Sequence, residues 1–351
     1  MFEKDIDIVI KGPCKIKVKQ GLIDISGIEI NDEIEIKDAK TYTLTTLKET
    51  DLNMDCNIVS KFPTLSWQKI GKELGGKILV LGNENSGKSY FSNLVSNLKN
   101  IPILDADVGQ SSLFIPTFIA LSNIKQTLNP REKGYSKLEF FGDKSPTINP
   151  SYHIALITKL LQNNIIVDTD GWVSGFFAFK HKLELIYLID PDYIVIFENE
   201  EKLPLPNDLN KKIIHIKRFP LGNWRDRNER KKYRQSLYKE YFTRANEIQI
   251  RTEKIFGIPV TNNLFISWGG DLLQISDEEP CEGYYVQDVK GLLLGLTSKG
   301  KIVGAGIISN INKDYVTIKT PEKDVDGALM GYISLNENFE ERRVKIKKCS
   351  S

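Results

Sequence analysis

A chain of 351 residues, 40% hydrophobic and 27% charged, carries enough apolar material for two or three packed domains and the polarity of an ordinary globular protein. Its net charge of +2 gives no general affinity for polyanions, and its four cysteines and three histidines are scattered without the spacings of a zinc site or a disulfide framework. The longest uncharged run, Val108 to Ile124, holds Gln110, Ser111, Ser112 and Pro116 and is not read as a membrane span. The charged start (Glu3, Lys4, Asp5, Asp7) is unlike a signal peptide, so the expected compartment is the cytoplasm.

Residues 1–61 alternate as strands do: Ile6 to Ile10, Cys14 to Val18, Ile28 to Ile30 and Ile34 to Ile36, punctuated by Gly12-Pro13, Gly21 and Asn31-Asp32. A small β-sandwich or barrel is expected there. Beyond Pro63, Ser66 is placed to cap a short helix from Trp67 to Leu74, which Gly75-Gly76 ends. An apolar strand, Ile78 to Leu81, a Gly-rich loop and a helix from Lys88 to about Lys99 follow. Pro102 to Leu104, Asn164 to Val167, Tyr193 to Phe197 and Lys212 to Ile216 read as further buried strands between helical stretches. Such a pattern predicts a mostly parallel sheet covered on both faces. From residue 252 short strands return: Leu264 to Ser267, Gly283 to Gln287, Leu292 to Leu296, Ile302 to Ile308, Tyr315 to Lys319 and Arg343 to Lys347. The fold class is α/β, with a central domain (62–251) flanked by β-rich domains at 1–61 and 252–351.

Three motifs carry chemistry. Gly82-Asn83-Glu84-Asn85-Ser86-Gly87-Lys88-Ser89 is a full G-x4-G-K-[ST] match between an apolar strand and a helix. Its backbone N–H groups would curl round phosphates, Lys88 would reach the β/γ-phosphates and Ser89 would ligate Mg²⁺; Tyr90 is grouped with this loop. Asp105-Ala106-Asp107-Val108-Gly109-Gln110 ends the following strand, where carboxylates can hold Mg²⁺ or accept a proton from an attacking hydroxyl. Ile165-Ile166-Val167-Asp168 ends in the metal-side aspartate position of P-loop proteins, and Thr169 to Gly175 follows. Trp172 is either a core aromatic or a base-stacking one. A fourth feature is electrostatic: residues 211–234 hold ten Lys/Arg against Asp226 and Glu229, a local excess of +8.

Together these elements resemble the polynucleotide 5′-hydroxyl kinases, the family of the cleavage-factor RNA kinases, the pre-rRNA-processing kinases and their archaeal relatives. Its D-x-G-Q element is met by Asp107 to Gln110, and its T-x-G-W-x-x-G element by Thr169 to Gly175. Its arginine lid is met by Arg225 and Arg230, with Tyr238-Lys239-Glu240-Tyr241-Phe242 behind them. Asp226 departs from the Ser common in that lid, and Asp168 from the Asn of the eukaryotic cleavage-factor branch; the compact length is similar to the archaeal branch. The resemblance implies a β / P-loop kinase / β layout, ATP and Mg²⁺ as cofactors, and transfer of phosphate to the 5′-hydroxyl of RNA or DNA in RNA processing or repair. It implies Lys88, Asp107, Arg225 and Arg230 as catalytic, and Gln110, Thr169, Trp172, Arg227 and Arg234 as substrate contacts. Ser89, Asp107 and Asp168 form the metal set, with Asp105 left open as an alternative ligand.

Two other functions compete. A regulatory P-loop NTPase fits Asp168-x-x-Gly171, but it requires an N/T-K-x-D element where Phe197-Glu198-Asn199-Glu200 stands, and Asn83 excludes the deviant loop of partition-type ATPases. An ATP-binding scaffold of an RNA-processing complex would keep the same motifs without turnover.

Overall fold

The computed structural model describes residues 1–198, 204–206, 209, 212–220, 227–256, 260–261, 266–268, 271–274, 284–285, 288–312 and 314–344. Two compact units divide the chain: one of residues 1–106, 121–136 and 157–224, the other of residues 107–120, 137–156 and 225–351. This is a different kind of division from the three segments above, which follow changes of pattern along the chain. No helix among the described residues is long and apolar enough to cross a membrane.

In the first unit, the N-terminal strands form two antiparallel sheets. One has the order Ile28–Ile30, Ile23–Ile25, Thr41–Thr46, Ile6–Lys11 and Asn57–Pro63; the other has Glu33–Ile36, Cys14–Gln20 and Asp51–Met54. Period-2 alternation explains why they pair: Cys14, Ile16 and Val18 point inward while Lys15 and Lys17 point out. The inward residues share one core with Ile8, Ile10, Ile23 and Leu44 of the larger sheet. The cysteine expectation is corrected here, because Cys14 and Cys56 form a disulfide. The antiparallel register Ile16↔Met54 and Lys17↔Asn53, carried two residues further, sets position 14 opposite position 56. Pairing between strands distant along the chain, invisible to linear spacing, brings them together. The Ser66 cap is corrected too: Ser66 has φ 60° and no side-chain cap hydrogen bond, whereas a capping hydroxyl needs an extended backbone.

Five parallel strands continue this unit in the order Lys212–Ile216, Tyr193–Phe197, Lys77–Leu81, Ile165–Asp168 and Ile103–Asp105. The three last-named are buried almost throughout, as strands covered on both faces must be. Helices α1 (Trp67–Glu73) and α2 (Lys88–Lys99) pack on each other, and α2 packs on strand Ile165–Asp168. Helix α3 (Pro150–Leu160) precedes that strand in the chain and α4 (Phe176–Ile189) follows it.

The second unit is built on antiparallel pairing. Strand Lys301–Ile311 lies between Leu292–Ser298 and Tyr315–Thr320; Gly327–Leu335 flanks Leu292–Ser298 and itself pairs with Glu341–Arg343. Ile250, Leu292, Leu294, Leu296, Val316 and Ile318 are among its core residues. Helix α5 (Arg227–Phe242) buries Leu237, Tyr238 and Phe242. Of the expected strands 264–267 and 283–287, the structure describes Ile266–Trp268 and Tyr284–Tyr285; the remaining positions, and 345–347 of the last strand, lie outside the described residues.

Candidate functional site

The phosphate loop grows directly from strand Lys77–Leu81. Gly82 has φ 154° and Gly87 φ 102°. A Cβ on the first would stand 2.7 Å from Phe197 Cβ, and on the second 2.8 Å from Trp67 Cη2, so conformation and space both demand glycine. Helix α2 then begins at Lys88, which aims the positive end of its dipole at the loop. The Lys88 side chain is buried, and its Nζ donates to the carbonyls of Gly82 (2.9 Å) and Asn83 (2.8 Å), holding the ammonium inside the curl. Ser86 Oγ is buried with no hydrogen-bond partner among the described residues, which suits a loop shaped for a polar guest. Glu84 and Asn85 are exposed at its tip and Ser89 is half-buried in the first helical turn. Tyr90 turns away: its hydroxyl donates to Thr43 O (2.9 Å) and accepts from Ser26 N (3.0 Å), and burial raises its pKa.

Parallel register places the acids. Asp168 pairs in register with Val80 on one side and with Asp105 on the other, and both carboxylates are buried. Ser89, Asp105 and Asp168 are all oxygen donors, the ligand chemistry that suits Mg²⁺, so these residues fit the ion the loop implies. The next residue, Thr169, is buried and its hydroxyl donates to Val80 O (2.7 Å), clamping the two strand ends together. Asp170 accepts from Trp172 N (2.8 Å) and from Lys182 Nζ (2.7 Å), and the Lys182 side chain is 0% exposed. Gly171 lies so close to the phosphate loop that a Cβ would stand 2.6 Å from Glu84 N. Trp172 is half-buried with its ring 5.4 Å from that of buried His181.

Sequence reasoning left Asp105 open and missed Asp170 and Lys182. The signal for Lys182 was present, since it falls on the buried stripe of α4 with Ala178, Leu185, Ile186 and Ile189. A charged residue on such a stripe requires a buried partner.

Asp107 to Gln110 belongs to the second unit. Asp107 Oδ1 accepts from Gly109 N (2.9 Å) and Gln110 N (2.8 Å), closing a tight turn; Gln110 Nε2 donates to Gly109 O (3.1 Å). Gly109 approaches Lys144, where a Cβ would stand 2.7 Å from the carbonyl oxygen. On α5, Arg227 is exposed and Arg230 half-buried, three residues apart and so on one face. Arg234, an expected substrate contact, has its guanidinium bound by Glu341 through Nε (2.8 Å) and Nη2 (2.5 Å). Arg225 lies outside the described residues.

Residues 82–244 match the family model described as the mRNA cleavage and polyadenylation factor CLP1 P-loop. A polyribonucleotide 5′-hydroxyl-kinase of Pyrococcus furiosus is 24% identical over 319 residues, spanning 76% of this chain and 89% of the relative. One of Pyrococcus horikoshii is 26% identical over 318 residues, 75% of this chain and 87% of the relative. One of Methanocaldococcus jannaschii is 29% identical over 204 residues, 51% and 56% of the two chains. A chain from the structure of the wild-type Clp1p–Pcf11p complex superposes with a TM-score of 0.65 over 95% of this chain and 96% of its own, at 14% identity, a likeness of fold.

Proposed function

We propose that this chain, whose residues 82–244 match the CLP1 P-loop family model, transfers the γ-phosphate of ATP to the 5′-hydroxyl end of RNA or DNA, in RNA processing or repair. The observation that carries this reading is the register that sets Asp168 beside the phosphate-loop strand and Asp105 beside Asp168, with Gly171 packed on Glu84 of that loop. The P-loop domain implies ATP binding, and similarity to polynucleotide kinases supports a nucleic-acid acceptor.

Phosphoryl transfer needs positioning and charge neutralisation more than covalent chemistry. The loop amides and Lys88 hold the phosphates. Ser89 with Asp168 and Asp105, or Asp107, would hold Mg²⁺, which supplies charge neutralisation at phosphate oxygens. Asp107, its carboxylate fixed by two amides, orients the 5′-hydroxyl and accepts its proton, with Gln110 beside it in the same turn. Thr169 acts through its bond to Val80 by holding the loop that carries Trp172, whose ring meets the acceptor's terminal base. Arg225 and Arg230 stabilise the charge that spreads over the transferring group, and Arg227 meets the acceptor backbone.

The test uses γ-labelled ATP and matched RNA and DNA oligonucleotides bearing 5′-hydroxyls. The wild-type protein is expected to label at least one of them, and Lys88→Ala and Asp107→Ala to abolish labelling. Full turnover in Asp107→Ala would remove it as the proton acceptor. ATP binding with every oligonucleotide unlabelled would replace the kinase with a scaffold.

A further inference from the structure

In the second unit, three segments distant in sequence converge on strand Glu341–Arg343. The Glu341 carboxylate, 4% exposed, takes Lys144 Nζ at 2.5 Å and the Arg234 guanidinium at 2.5 and 2.8 Å. Two residues on, and so on the same face of the strand, Arg343 forks onto Asp143 at 2.6 and 2.8 Å, with the Asp143 side chain 0% exposed. Arg342, between them, instead pairs with Asp288 at 3.6 Å. Asp143 Oδ1 also accepts from Ser145 N (2.9 Å), fixing the backbone around Lys144. The Lys144 carbonyl is the group against which Gly109 of the Asp107 turn packs. On the other side, Arg234 belongs to α5, one turn after Arg230, and Tyr238 follows one turn later, fully buried.

Buried and half-buried ion pairs are a poor way to gain stability, because desolvation offsets much of the attraction and apolar side chains of equal volume serve as well. What charged forks supply is direction: a guanidinium fits a carboxylate in one geometry and resists sliding. We propose that Glu341 and Arg343 are positioning residues for the transfer proposed above: through Arg234 they set the pose of the helix bearing Arg227 and Arg230, and through Asp143 and Lys144 the pose of the Asp107 turn. This rests on the kinase reading, and it gives the C-terminal strand a part in a reaction whose motifs all lie elsewhere.

The experiment compares wild type, Glu341→Gln and Arg343→Lys in steady-state transfer to a 5′-hydroxyl oligonucleotide, with unfolding followed in parallel. Loosening the brace should lower kcat on the order of tenfold in Glu341→Gln and less in Arg343→Lys, while KM for ATP stays within about twofold, because misplacement penalises the transition state more than nucleotide binding. Adding Arg230→Ala to Glu341→Gln should cost less than Arg230→Ala costs in wild type, since both act through one helix. A folded Glu341→Gln with wild-type kcat, or strictly multiplicative losses, would overturn the inference and leave the kinase reading intact. If Glu341→Gln does not fold, Arg343→Lys decides: reduced kcat at unchanged KM for ATP supports the brace, and wild-type kcat overturns it. A wild-type protein that labels no oligonucleotide overturns the kinase reading and this inference with it.

Discussion

The two units hold their candidate functional residues by different physics. In the first, the phosphate loop is set by its own backbone: Lys88 reaches carbonyls only 6 and 5 residues away, two glycines take conformations other residues resist, and parallel register delivers Asp105 and Asp168. In the second, the Asp107 turn and helix α5 are pinned by side-chain ion pairs spanning 107, 197 and 200 residues. A loop of the kind that wraps phosphates benefits from rigidity built in locally. In the proposed kinase the lid and the acceptor turn have to be placed relative to each other, and long-range charge pairs do that without fixing every intervening residue.

Lys182 gives the sharpest way to break this contrast, because its buried ion pair with Asp170 holds the first-unit loop whose Gly171 packs on Glu84. Lys182→Ala leaves Asp170 buried without its cation and should destabilise the protein by about 3–5 kcal/mol. Pairing it with Asp170→Asn should recover much of that loss, as urea unfolding would show. Destabilisation below about 1 kcal/mol would mean that backbone alone holds the loop.

Arg230→Ala probes the second unit. On the proposed reading, in which Arg230 acts on developing charge, its removal should lower kcat on the order of a hundredfold with little change in ATP binding. Equal losses in kcat and nucleotide affinity would move Arg230 from the lid to the ground-state phosphate site.

The smallest effect expected is a pH dependence of opposite sign in the two units. Burial raises Asp24 to about 6, against hydrogen bonds from Gly27 and Gln68. The folded first unit therefore binds this proton more tightly than the unfolded chain, and stability rises as pH falls from about 6 towards about 4. Burial also pushes Glu341 upward, but hydrogen bonds and charge from Arg234 and Lys144 outweigh it and hold the group below its ordinary range. Its contribution is fully present above about 4.3 and is lost as pH falls through the folded value. Asp24→Asn should flatten the first window and Glu341→Gln only the acid limb, as urea midpoints against pH would show.

How much of this was legible follows the same division. The strands Tyr193–Phe197 and Lys212–Ile216 and the helix Lys88–Lys99 lie where the pattern put them, because unbroken apolar runs and a glycine-lysine loop are local signals. Strand Thr41–Thr46 escaped notice: its threonines alternate with nothing strongly polar, and its burial comes from neighbours on both sides. By itself the sequence determined the α/β class, the phosphate loop and the acidic strand end, since each is written in a few consecutive residues. Only the tertiary structure decided that Cys14 meets Cys56, that Thr169 faces Val80, that Lys182 neutralises Asp170, and that Arg234 is bound by Glu341. Those partners are chosen by strand register and chain return, and a charged side chain looks the same along the chain whether it will face solvent, a phosphate or a buried carboxylate.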